Sequence, residues 1–378
     1  MSYKIELESL RKKHLENIPF LTLKRGAVLQ TAESVYQLDE ELDVPVILED
    51  LIEDVKQDVG PDVLKMENIL KAMCFMIGLD PDFIYRRRYE EIIRVLKPKT
   101  DAYVIHLINS YGYQPDYALI FSLALVELEK NARNLFILAN CLENVSIDLN
   151  KNDQDEKAAL YFDESIKLYH ESSKADNQFS LPLYKLGFYY KRVGQFVRAK
   201  DYWERFIASD KDDLRIQEVR EELEALEMLV DYEIGSSFVL NGDSDRGLDK
   251  LLPLVPYYPT WWNLLFVIGL AFRQNGDFQI ASDYFKNVLK LKPDQTESIN
   301  ELALCYMSMD KYQEAKDVLD AAVALSNNSE VLANRAVSNF YLERYKSALW
   351  DINQSLMLNP DDEIAKNIKK EIEKAIEE

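Results

Sequence analysis

Glycine and proline are scarce in this chain, 11 and 12 respectively among 378 residues. Few turn-forming residues are therefore available, which disfavours a sandwich or barrel of many short strands. Cysteine is scarcer still: Cys74, Cys141 and Cys305 stand far apart among apolar neighbours. An odd, scattered set supplies neither a disulfide framework nor a CxxC metal site, and reads as three small buried hydrophobes of a reducing cytosol. His14, His106 and His170 lie in separate segments with no HxxxH or HExxH pair, so surface or packing roles are expected and no metal centre. No glycine begins a GxxxxGK[ST] run, so no phosphate-binding loop and no cofactor are expected.

Positive charge is also in deficit. With 45 Lys and Arg against 66 Asp and Glu, the net charge is −21, which repels a phosphate backbone and an anionic lipid surface alike. Nucleic acid is therefore not an expected partner. Arg86, Arg87 and Arg88 are a local exception, but three consecutive residues splay over about 200° of a helix, which suits a solvated surface better than a site. The most apolar stretch, Tyr257 to Phe272, is interrupted by Pro259 and Asn263 and falls short of the roughly 20 residues that span a bilayer. Residues 1–25 mix charged and apolar side chains without the apolar run of a secretory signal. A cytoplasmic location without membrane insertion is the expectation.

Hydrophobic residues make up 47% of the chain, enough for a continuous core, and the abundance of Leu, Ile, Ala, Glu and Lys favours helices. An internal period then organises them. From Trp262, taken as offset 1, Gly269, Phe272, Gly276, Phe278, Ala281, Phe285 and Pro293 stand at offsets 8, 11, 15, 17, 20, 24 and 32. Small residues at 8 and 20 let two helices approach, large ones at 11, 17 and 24 fill the layer between them, and the proline stops the second helix. The register recurs from Thr296 (Leu302, Ala303, Tyr306, Tyr312, Ala315, Leu319) and from Ser329 (Ala336, Tyr345, Ala348, Ile352, Pro360). In that last unit Arg335 replaces the usual apolar residue and Asn339 the usual aromatic one. A weaker unit begins at Met228 (Ile234, Gly235, Phe238, Gly242, Gly247, Leu251), and a strong one near Ser180 (Leu186, Gly187, Tyr190, Gly194, Phe196, Ala199, Trp203). The extra residues between those two units, around LRIQEVREELEALEML, keep helical spacing and predict a lengthened helix.

These offsets closely resemble the tetratricopeptide repeat. The resemblance implies an all-α fold in which helical hairpins stack as a right-handed α-α superhelix. It covers residues 180–362 well, with units starting near 180, 228, 262, 296 and 329, and residues 98–179 only as degenerate repeat-like pairs. Residues 1–97 show no repeat and are expected to form a separate helical region or cap. Residues 363–378 carry Ile364, Ile368, Ile372 and Ile376 in one row, as expected of a C-terminal capping helix.

In this family offsets 2, 5, 9, 12 and 13 usually face the concave groove. Carried over, they give Tyr184, Phe188, Lys191 and Arg192; Tyr232; Phe266, Leu270 and Arg273; Asn300, Leu304 and Met307; and Val337, Phe340 and Tyr341. The chaperone-gripping members place lysine at offset 5 and asparagine at offset 9, where this chain has Tyr184 and Phe188, so that carboxylate clamp is not expected. The leading functional expectation is a non-enzymatic scaffold or adaptor whose groove holds a peptide or helix of a partner protein. A peptide-responsive regulatory sensor is the first alternative, and an enzyme with its site in residues 1–97 the weaker one. A second copy of the chain, giving a homodimer, is the competing occupant of the apolar row.

Overall fold

The computed structural model describes residues 10–15, 18–32, 34–50, 52, 65–325 and 328–377. The chain forms two compact units, one of residues 1–194 with 201–220 and the other of residues 195–200 with 221–378. The fold is all-α in its architecture, a series of helical hairpins.

The amino-terminal segment adds strands to the helices expected there. β1 (Phe20–Leu23) pairs antiparallel with β4 (Leu42–Pro45), and β2 (Val28–Gln30) with β3 (Val35–Gln37). Strands of three and four residues are too short for an alternating pattern to stand out, and only Leu29 of β2 turns inward while Val28 and Gln30 stay exposed. Helix α1 (Met66–Leu79) is buried along almost its whole length, and α2 (Arg86–Leu96) ties to β4 through the Tyr89 hydroxyl, which donates to the Asp43 carbonyl at 2.5 Å. Arg86 pairs with Glu127 and Arg88 with Asp39 and Glu91, while Arg87 is exposed. Two of the three arginines are thus spent on surface ion pairs. Helices α3 (Thr100–Ser110) and α4 (Pro115–Leu128) complete this region; a β-carbon on Gly78 of α1 would lie 1.9 Å from the Ile120 carbonyl oxygen of α4.

Six hairpins follow. The first two are α5 (Ala132–Lys151) with α6 (Asp155–Ala175), and α7 (Leu181–Arg192) with α8 (Phe196–Ser209). Helix α9 (Asp213–Leu240) absorbs the extra residues between repeats as continuous helix and turns back into α10 (Ser244–Leu251). Then come α11 (Trp262–Gln274) with α12 (Phe278–Leu291), α13 (Thr296–Ser308) with α14 (Tyr312–Leu325), and α15 (Ser329–Tyr341) with α16 (Tyr345–Leu358). First helices of these last hairpins have 13 residues and second helices 14, whereas α5, α6 and α9 have 20, 21 and 28.

One backbone feature marks every hairpin. Two residues beyond the first helix stands a left-handed residue: Asp153, Gly194, Gly242, Gly276, Asp310 and Glu343, with φ between 56° and 86°. After Asp153, Gly242, Gly276, Asp310 and Glu343 the next residue donates back into the helix, as in Asp277 N–H to the Phe272 carbonyl and Arg344 N–H to the Asn339 carbonyl. This closes the helix end by pairing a carbonyl that the helix itself leaves unsatisfied. Gln154 makes the same bond to Leu149, so α5 and α6 carry the repeat's turn although their side chains depart from its pattern. That hairpin is fastened by Ser146 and Ser172, which donate to the carbonyls of Ala158 and Ala132 at 2.7 and 2.6 Å.

Helix α17 (Glu363–Glu377) packs Ala365 and Ile372 against Ala336, Ala348 and Ile352, capping the last hairpin. The isoleucine row is not one face: Ile372 is fully buried, whereas Ile364 and Ile376 are exposed. Each four-residue step overshoots a turn by about 40°, so the row winds off the interface.

Candidate functional site

The four groove residues expected on α7 come together. Tyr184, Phe188, Lys191 and Arg192 line an open cavity of about 580 Å³, whose facing wall is Phe162, Ile166 and Tyr169 of α6. The rings interlock: Tyr184 meets Phe188 edge-on at 4.9 Å, Phe188 meets the buried Trp203 at 4.9 Å, and the Arg192 guanidinium lies 4.3 Å from the Phe162 ring centroid. Trp203 fills the space above Gly187, where a side chain would collide with it.

Polar groups fix this cavity's rim. The Tyr169 hydroxyl donates to Glu143 at 2.6 Å, and Lys185 donates to the same carboxylate at 2.9 Å. Burial and the neighbouring Glu143 both push the Tyr169 phenol well above its ordinary range, so it remains a donor at any physiological pH. Tyr184 donates to Glu218 at 2.9 Å. Three cations, Lys185, Lys191 and Arg192, thus face two carboxylates that already accept hydrogen bonds.

In the second unit Val337, Phe340 and Tyr341 line another cavity, of about 340 Å³, closed by Ile364, Asn367, Ile368 and Glu371 of α17. Of the remaining expected residues, Asn300 lines a small cavity of about 100 Å³ with Glu297, Glu301 and Glu330. Tyr232 lies tilted against Trp261 at 4.2 Å, and Phe266 and Leu270 pack into apolar clusters shared with the neighbouring hairpins. Met307 packs beside Ile299 and Ala303, and Leu304 is half-buried. Arg273, expected to meet an acidic ligand, is held by Glu301 at 2.5 Å. Burial raises the Glu301 carboxyl and Arg273 opposes that rise. Asn300 is buried, donating to Glu330 and accepting from Asn334, a ladder between successive first helices.

The cysteines are buried, and burial lifts the Cys141 and Cys305 thiols to about 11 and about 12. His170 bridges the hydroxyls of Tyr190 and Tyr202, His14 sits between Phe75 and Tyr117, and His106 is exposed. Among the described residues no group of His, Cys, Asp and Glu is arranged to hold a metal, and no helix is long and apolar enough to cross a membrane.

Residues 272–336 match the model of the tetratricopeptide repeat family, so this stretch carries the repeat that the offsets resemble. BBSome complex member BBS4 of Bos taurus is 20% identical over 231 residues, which cover 52% of this chain and 42% of that protein. The chain therefore spans about two fifths of the curated relative it matches. Among solved structures, YrrB, described as a TPR protein with an unusual peptide-binding site, is 16% identical, with 53% of this chain and 97% of YrrB covered and a TM-score of 0.39. The APC/C hetero-tetramer Cut9-Hcn1 is 15% identical, covering 80% of this chain and 62% of the matched one, with a TM-score of 0.41. The first TPR of Spaghetti (RPAP3), bound to the HSP90 peptide SRMEEVD, is 22% identical over 31% of this chain and 94% of its own, with a TM-score of 0.31.

Proposed function

We propose that the protein is a non-enzymatic interaction scaffold of the cytoplasm, and that the cavity between α6 and α7 receives an apolar side chain from an amphipathic helix of a partner protein. The observation that carries this reading is the open aromatic cavity of about 580 Å³ with Lys191 and Arg192 at its edge. Aromatic and aliphatic walls take an apolar anchor, and the rim cations favour acidic residues flanking it. The excess of three cations over two carboxylates at this rim stands against a chain whose net charge is −21. Val337, Phe340 and Tyr341 form a second anchor point of the same kind, and a relative named as a member of a complex is in keeping with a scaffold.

The test is calorimetric titration with amphipathic helical peptides carrying leucines at i, i+3, i+4 and i+7 and glutamates between them. Micromolar binding that falls at least tenfold in Phe188→Asp with Arg192→Glu, at unchanged circular dichroism, supports the reading. Binding unaffected by the pair defeats it, and a stable dimer dissociated by the same pair would instead place a second copy in the cavity.

A further inference from the structure

The three interior positions at offsets 7, 11 and 23 are apolar or aromatic in two successive repeats. In the unit from Trp262 they are Ile268, Phe272 and Tyr284, the last two stacked at 5.6 Å, and in the unit from Thr296 they are Leu302, Tyr306 and Val318, which pack together. In the unit from Ser329 the same three places hold Arg335, Asn339 and Asp351. Arg335 grips Asp351 with two nitrogens, at 3.0 and 2.5 Å, and reaches Asp320 with a third. Asn339 donates to Asp351 at 2.9 Å, which leaves its carbonyl oxygen buried and without a hydrogen-bond partner.

A buried ion pair seldom outperforms the well-packed apolar residues it replaces. Stability therefore does not account for the exchange. The triad lies instead at the back of an open cavity of about 490 Å³ on the second-helix side, with Lys316, Arg344, Lys346 and Trp350 at its mouth. Lys316 pairs with Asp320, Arg344 reaches Gln313, and Lys346 and the Trp350 indole are exposed. Four cations meet two carboxylates there, a local excess of positive charge in a strongly acidic chain, and both carboxylates are bound by Arg335.

We propose that this cavity is a second binding site, separate from the one between α6 and α7, and that it takes an extended acidic peptide. Glutamate or aspartate side chains meet Lys316, Arg344 and Lys346, and an apolar residue of the peptide lies on Trp350. The polar triad serves to keep a cationic, hydrated hollow where the neighbouring repeats are filled with side chains.

Fluorescence anisotropy with fluorescein-labelled Glu-Glu-Phe-Glu-Glu, and Gln-Gln-Phe-Gln-Gln as control, tests this on the full chain. The acidic peptide is expected to bind at least tenfold more tightly than the control. The pair Arg344→Glu with Lys346→Glu abolishes that preference, and so does the triple Arg335→Leu, Asn339→Tyr, Asp351→Val, which restores the packing of the preceding repeat. Measured in the Phe188→Asp, Arg192→Glu background, which removes the contribution of the other cavity, the remaining preference reports this site alone, so failure of one site is distinguishable from failure of the other. Equal binding of the two peptides, or retention of the preference in the folded triple variant, overturns the proposal. Should the triple variant unfold, the surface pair alone decides.

Discussion

Gly187 and Trp203 lie so close that a β-carbon on the glycine would stand 2.2 Å from the indole ring. The indole is fully buried and packs edge-on against Phe188, so it has no room to withdraw. Gly187→Ala is therefore expected to cost about 1–3 kcal/mol through overpacking. An unchanged urea midpoint would show that the hairpin can open without penalty.

The left-handed turn residues predict opposite effects at equivalent places. Gly276 and Glu343 both have positive φ, of 86° and 58°. An L-residue pays roughly 1–2 kcal/mol there, more than the roughly 0.5–1 kcal/mol of extra chain entropy that glycine brings to the unfolded state. Glu343→Gly is thus expected to raise the urea midpoint and Gly276→Ala to lower it, both at unchanged slope. Movement in the same direction would mean that the turn conformation is not what sets the difference.

Acid sensitivity has a named source in Asp210. Burial alone would raise its carboxyl, but the Ser180 hydroxyl at 2.5 Å, the Asp212 N–H at 2.7 Å and Arg215 at 3.1 Å together hold it below the usual carboxylate range. A carboxyl depressed in the folded state contributes stability that is present above its unfolded value, about 3.9, and is lost as pH falls through the lower folded one. Asp210→Asn should therefore destabilise the protein at pH 7 and flatten the loss of stability below about pH 4. Thermal melts from pH 2 to 7 that keep the same slope in the variant would contradict this.

Removing one partner of a buried ion pair is costlier than removing all of it. Arg335→Met strands Asp351, whose side chain is 3% exposed, and is expected to cost about 3–5 kcal/mol. The further change Asp351→Leu should recover most of that loss. Chemical denaturation of the single and double variants checks the cycle, and a mild single variant would mean that water reaches Asp351.

The repeats were legible because their helices meet through side-chain size, so Gly269, Ala281 and Phe285 reveal the packing directly. Helices α5 and α6 were harder to read. Their turn has Asp153 where three of the other five hairpins have glycine, and their contact relies on the serines Ser146 and Ser172. The short strands of residues 20–45 left too few residues for alternation to speak. On the candidate site, Tyr184, Phe188, Lys191 and Arg192 could be found together because one helix carries them all. Their facing wall, Phe162, Ile166 and Tyr169, belongs to a helix outside the recognised register. Arg335 and Asn339 were visible as departures from the pattern, but only the structure joins them to Asp351.

The lengths of the irregular helices carry a final consequence. Where the regular helices have 13 or 14 residues, α5 and α6 have 20 and 21, and α9 has 28. Against 13 residues for a regular first helix and 14 for a second, α5 and α6 each gain seven, nearly two full α-helical turns, so each rotates its far end by only about 20°. A helix so extended arrives at its next turn in phase, with its apolar stripe still directed at its neighbour. The 28 residues of α9 follow a different step: they exceed the 13 of a regular first helix by fifteen, which turns the apolar stripe by about 60° along that helix.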